Sequence, residues 1–278
     1  MSSLFELYDA YENSCMENYR KHRFFQEFMS QSPSRFQDYL LQLEHVSQRF
    51  AEFYRGGKTS ISDPETERII EEMIKDDLAL KGKEGGNRTH DLTELAGVTA
   101  LKTPPSVQTR AFLEELLSLP DSCPPKPPRK KDRGGNRAEP SDEEKHRQHL
   151  WTVVVLRVAG EILPAEQFRL ILDYLEQKMG VDRRQTRYFL PKYELIRKDV
   201  RRTDGSHGHR FDKLVDKLIR NERDLDLAKQ AVDIACRVRS EFHDQFLPEK
   251  VPCFLARLTR AFWRRISHTK KEASSPAH

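Results

Sequence analysis

The feature that most constrains this chain is a series of apolar stripes at helical pitch, several of them opened by a recognisable cap. Ser3-Leu4-Phe5-Glu6 fits a capping box, in which the serine and glutamate side chains each meet a backbone N–H that a first helical turn leaves unpaired. Behind it Leu4, Tyr8, Tyr11, Cys15, Tyr19, Phe25, Phe28 and Met29 recur at three- and four-residue steps, which predicts one helix from Leu4 to the end of the stripe, close to Ser30. Ser32-Pro33 supplies the next cap and a proline at the first helical position. Phe36, Tyr39, Leu40, Leu43, Val46, Phe50, Phe53 and Tyr54 form the second stripe, expected to close at Gly56-Gly57 in a left-handed cap. A connection this short between two long helices predicts an antiparallel hairpin. Asp63-Pro64 opens a third helix carrying Ile69, Ile70, Met73, Ile74 and Leu78 and closed by Gly82. A weaker helix over 92–101 and a stronger one with Val107, Phe112, Leu113, Leu116 and Leu117 follow.

Residues 120–140 break the pattern. Pro120, Pro124, Pro125, Pro127, Pro128 and Pro140 stand among basic residues and Gly134-Gly135, a composition that cannot build a packed helix. This reads as a linker and a domain boundary. Beyond it Ser141-Asp142-Glu143-Glu144 is a second capping box, opening a helix through Trp151 to Leu163 that Pro164 is expected to break. The run Val153-Val154-Val155 has strand propensity, but the preceding cap favours helix. A helix over 165–179 ends at Gly180; a short helix near 182–190, a basic one over 192–202 and a glycine-rich turn at 204–208 come next. Helices over 209–221, 223–246 and 252–268 complete the chain. The expected fold class is therefore all-α, as two helical bundles joined by a Pro/Lys/Arg-rich linker: an acidic bundle over 1–119, the disordered basic linker over 120–140, a basic bundle over 141–268 and a disordered tail over 269–278.

Charge divides along the same line. Residues 1–119 hold 14 basic and 20 acidic residues, a net charge of −6, while residues 120–278 hold 34 and 24, a net charge of +10. The basic half suits an acidic partner, either protein or nucleic acid. Fifteen Phe, eight Tyr and two Trp supply enough aromatic area for real cores despite a charged fraction of 33%. Four scattered cysteines without CxxC spacing read as reduced thiols. The N-terminus has no secretory pattern, and the longest apolar run, Trp151 to Leu156, is far short of a membrane span. These features place the expected site of action in the nucleus or cytoplasm, with the nucleus favoured.

The familiar catalytic patterns are missing from the sequence. Gly57-Lys58-Thr59 matches the end of a phosphate-binding loop, but Glu52 stands where its first glycine is required and a helix precedes it, so the motif is rejected. His207-Gly208-His209 offers two imidazoles without further ligands and reads as a polar turn; His146 and His149 share a helical face and read as solvated. No catalytic, cofactor-binding or metal-ligating residue is assigned, and the chain is expected not to be an enzyme.

Three segments are candidates for contacts. Lys126, Arg129, Lys130, Lys131 and Arg133, spaced by prolines, form an exposed basic run of the kind read by nuclear-import receptors. Arg183, Arg184, Arg187, Lys192, Arg197, Lys198, Arg201 and Arg202 interleave with Tyr188, Phe189 and Tyr193, which suits phosphate neutralisation with base stacking, although rings at helical spacing more often face a core. Arg257, Arg260, Arg264 and Arg265 flank an apolar face of Phe254, Leu255, Leu258, Phe262 and Ile266. The functional expectation is a helical adaptor or complex subunit that binds other proteins through aromatic-lined grooves. The alternative is a nucleic-acid-binding factor using the basic half.

Overall fold

A computed structural model of the chain describes residues 3–82, 104–125, 140–182 and 207–247. The described residues form helices joined by short turns, with no strand among them, so the all-α class holds. The helices are α1 (Leu4–Arg20), α2 (Arg23–Glu27), α3 (Pro33–Gln48), α4 (Phe50–Thr59), α5 (Pro64–Gly82), α6 (Val107–Ser118), α7 (Asp142–Arg157), α8 (Leu163–Met179), α9 (His207–Leu218) and α10 (Glu222–Asp244). Short 3-10 turns at Phe28–Ser30 and Leu119–Asp121 follow α2 and α6, and a π-helical turn, Val158–Ile162, joins α7 to α8.

Local chemistry explains most of the boundaries. Both capping boxes form, Ser3 with Glu6 and Ser141 with Glu144. Ser32 caps α3 with Pro33 in its first turn, and Gly180 closes α8 in the left-handed conformation at φ 66°. Other boundaries differ from expectation. The first stripe is not one helix: the chain breaks after Arg20, and His22 turns its ring to accept from the Phe24 amide and start α2. The second stripe likewise splits at Arg49 into α3 and α4. Gly56 and Gly57 do not end a helix; α4 runs through them, because a Cβ on Gly57 would meet Leu156 Cδ1 at 2.7 Å and glycine is what lets α4 approach α7.

The expected separation into two bundles is not what the described residues form. The described residues up to Phe246 fall in a single compact unit. Helix α10, with Ala228, Ala231, Val232 and Ala235 buried along it, packs against α1 on one side and α7 on another. Short side chains there let the helix axes approach closely. The stretch read as the start of a linker is also held down. Leu119 and Pro120 are buried, and their carbonyls accept from Trp151 Nε1 (2.8 Å), Thr152 Oγ1 (3.1 Å) and Gln148 Nε2 (2.6 Å) on α7. The rest of that linker, 126–139, and the tail over 269–278 lie outside the described residues.

Aromatic rings fill the unit. Phe36 stacks on Tyr174 at 4.1 Å, Phe28 meets both edge-on, and Phe112 lies 4.7 Å from Phe242. These five rings are buried and belong to the core.

Pro164 does not break its helix. In the π turn the Leu163 N–H donates to the Val158 carbonyl, five residues back, which widens the backbone just ahead of the proline ring. Gly160 sits in this turn, where a Cβ would stand 2.5 Å from the Tyr54 hydroxyl, and that hydroxyl donates to Glu161. Gly160→Ala should therefore destabilise the fold by about 1–3 kcal/mol through overpacking. Combined with Tyr54→Phe, which removes the obstructing oxygen, it should cost less than the two single changes added together. Urea denaturation of the four proteins checks this, and simple additivity would show that the two side chains do not compete for the same space.

Candidate functional site

Inside the unit, charged and polar side chains occupy positions that helical periodicity assigns to the core. On α1 the buried face is Tyr8, Glu12, Met16 and Tyr19, so Glu12 stands among apolar residues while Tyr11 and Cys15 lie at the border beside Asp233. Arg157, directly after the apolar run of α7, is 1% exposed and donates to Glu12 and, through Nε at 2.8 Å, to Asp212 of α9. Tyr8 also donates to Glu12, at 2.7 Å. Two carboxylates around one guanidinium compensate its burial, and removing one side of such a pair typically costs about 3–5 kcal/mol.

A second cluster lies among α1, α8 and α10. The Tyr19 hydroxyl is 2.7 Å from His243 Nε2, and Gln167 Nε2 is 2.9 Å from the same nitrogen. Phe24 stacks on the His243 ring at 4.6 Å and Phe25 meets it edge-on. Burial, with the neighbouring charges of His22 and Arg239, holds His243 well below its usual titration range, and burial pushes the Tyr19 hydroxyl well above its own. No hydrogen-bond partner reaches His243 Nδ1, nor the Gln167 carbonyl oxygen.

One turn before His243 on α10, Arg239 is fully buried. Its Nε (3.1 Å) and Nη2 (2.5 Å) donate to the Ala159 carbonyl of the π turn, and its plane lies 5.1 Å from the Phe50 ring and 5.6 Å from the Phe112 ring. Nη1 has no acceptor, and no carboxylate pairs with this guanidinium among the described residues. Burial pushes it down to about 10, so it stays charged at neutral pH.

The histidines singled out in the sequence are placed differently from expectation. His146 and His149 are half-buried and engaged by neighbouring side chains. His149 Nε2 lies 2.9 Å from the Thr66 hydroxyl, which donates to Asp63 at the start of α5. Burial pushes His149 below its usual range. His146 sits between Arg220 (2.6 Å) and Asp224 (3.3 Å). His207 begins α9 and does not belong to a turn. Lys58, from the rejected phosphate-loop motif, is inside α4 and pairs with Glu71. No three metal-ligating side chains converge among the described residues.

Lys126, Arg129, Lys130, Lys131 and Arg133 lie outside the described residues, as do Arg183, Arg184, Arg187, Lys192, Arg197, Lys198, Arg201, Arg202, Arg257, Arg260, Arg264 and Arg265. The interior residues Glu12, Arg157, Gln167, Arg239 and His243 were missed by sequence reasoning. Their common signal is a polar residue in phase with a buried stripe.

This geometry has a counterpart. The chain is similar in fold to a CadD-like protein. That crystal structure is of a protein of unknown function from Nostoc punctiforme, with a TM-score of 0.62 and 14% sequence identity over 87% of this chain and 96% of that one. A match of that extent runs through both halves of the sequence, and at that identity it concerns the fold alone. No family profile matches the sequence, and no curated protein does. No described helix is long and apolar enough to cross a membrane.

The two lowered histidines set a pH dependence. Folding holds His243 and His149 neutral, whereas the unfolded chain takes up protons as pH falls below the ordinary value of 6.5. Their contribution to stability is thus complete above that value and is lost as pH drops towards their folded values, with a slope approaching about 1.4 kcal/mol per pH unit for each. Denaturation midpoints should fall from pH 7.5 to pH 5, and His243→Gln should reduce the slope. A flat wild-type profile over that interval would contradict neutral burial.

Proposed function

We propose that this protein is a non-enzymatic binding protein that takes a small polar molecule into its helical interior, at Tyr19, Gln167, Arg239 and His243. One observation carries the reading. Three fully buried side chains, one on α8 and two on α10, hold polar atoms with no partner: Gln167 Oε1, Arg239 Nη1 and His243 Nδ1. Burying such atoms unmet costs about 1–3 kcal/mol each, and helical bundles commonly build ligand sites from side chains on facing helices. The thiols support binding over covalent chemistry, since burial pushes Cys15, Cys123 and Cys236 upward, the last to about 12, and leaves them protonated.

The test is a ligand-observed NMR screen of small polar fragments against the full chain and its Gln167→Leu variant. Fragments that carry a hydrogen-bond donor for the Gln167 carbonyl should bind the wild type and lose affinity for the variant. If none separates the two proteins, ordered water fills the same hydrogen bonds and the reading fails.

The charge division favours a second reading, an adaptor or complex subunit acting in the nucleus or cytoplasm through its basic segments, with nucleic acid as the alternative partner. Mobility shifts with RNA and DNA should then appear at low salt and vanish steeply as salt rises. The absence of any complex at low salt would remove the nucleic-acid version.

A further inference from the structure

We infer that the interior site recognises a small carboxylate that also carries a hydroxyl, with Arg239 as its counter-charge and His243 and Gln167 as its reading groups. This rests on the interior-binding reading above and names the chemistry of the ligand.

The argument starts from the contrast between the two buried arginines. Arg157 is enclosed by Glu12 and Asp212, so its charge is met within the chain. Arg239 has one backbone carbonyl, Ala159, and the faces of two rings. A guanidinium carries five N–H donors in a planar fork, and here those on Nη1 point at no acceptor. A buried cation without an anion is among the most costly arrangements in a protein interior. A carboxylate brings the one negative charge that balances it and the planar pair of oxygens that a guanidinium edge accommodates. Phosphate, with close to two negative charges, would overcompensate a single arginine.

The neighbouring groups refine this. His243 follows Arg239 by four residues on α10, and side chains at that spacing lie on one helical face about 5–6 Å apart at Cβ. Its Nε2 is engaged by Tyr19 and Gln167, which leaves Nδ1 without a partner on the same face as Arg239. A carboxylate beside Arg239 Nη1 would favour the imidazole tautomer that carries its proton on Nδ1, so that both groups donate to its oxygens. The Gln167 carbonyl is the opposite kind of group, an acceptor without a donor, and it calls for a hydroxyl on the same ligand.

The probes are glycolate, acetate and glycolamide, titrated calorimetrically at pH 7 into the full chain, with 15N spectra of the histidine rings followed in parallel. Glycolate should bind at least ten-fold more tightly than the neutral glycolamide and measurably more tightly than acetate, and it should shift the His243 ring nitrogens. Arg239→Gln, shown to be folded by circular dichroism, should lose glycolate binding. Gln167→Leu should keep acetate binding and lose the preference for glycolate, and this variant serves if Arg239→Gln does not fold. Equal binding of glycolamide and glycolate, or glycolate binding that leaves the His243 signals unmoved, overturns the inference while leaving an interior site for neutral molecules. If no fragment of any charge binds, the interior-binding reading falls with it.

Discussion

The packing of this bundle turns on the bond between the Arg239 guanidinium and the Ala159 carbonyl. Pro164 has no N–H to give. In the register set by Leu163 donating to Val158, the next carbonyl awaiting a donor is that of Ala159, and the next residue is the proline. The backbone acceptor orphaned by Pro164 is taken by two nitrogens of Arg239 from across the core. This ties the central helix α10 to the α7–α8 junction at a point where neither helix could satisfy itself. It also fixes where the guanidinium lies and which edge of it remains open.

Around that bond the interior is polarised along its length. Towards one end, Glu12, Arg157 and Asp212 join α1, α7 and α9 in a closed set of charges. Towards the other, Tyr19, Gln167 and His243 join α1, α8 and α10 through neutral groups packed beneath Phe24 and Phe25. The first set holds helices from both halves of the sequence in place. The second leaves one polar atom of Gln167 and one of His243 without a partner.

Much of the secondary structure was legible because caps and stripes act locally: Ser3 with Glu6, Ser141 with Glu144, and Gly180 after α8 each depend on a few adjacent residues. Tertiary demands were not legible. Gly57 looks like a helix stop in isolation, and only the approach of Leu156 explains why α4 continues through it. Pro164 looks like a helix breaker because a π turn has no sequence signature of its own. The interior site was hidden for a related reason. Glu12 and Arg239 fall in phase with buried residues, but a count of apolar positions skips them, and the eye is drawn to arginine-rich surface runs. The two-bundle division came from composition, which registers the prolines after α6 but not the side chains of Gln148, Trp151 and Thr152 that bind Leu119 and Pro120.

The π turn has a further effect on phase. Opening one turn from a four- to a five-residue step is geometrically equivalent to inserting a single residue, and each residue of an α-helix advances the side-chain direction by about 100°. The faces of α7 and α8 are therefore offset from those of an uninterrupted rod. With one residue fewer between Arg157 and Leu163, Gln167 would swing about a quarter turn away from His243, and Leu170, Ile171 and Tyr174 would leave the core with it. The widened turn thus works as a gear tooth, setting which side of α8 carries Gln167 towards His243.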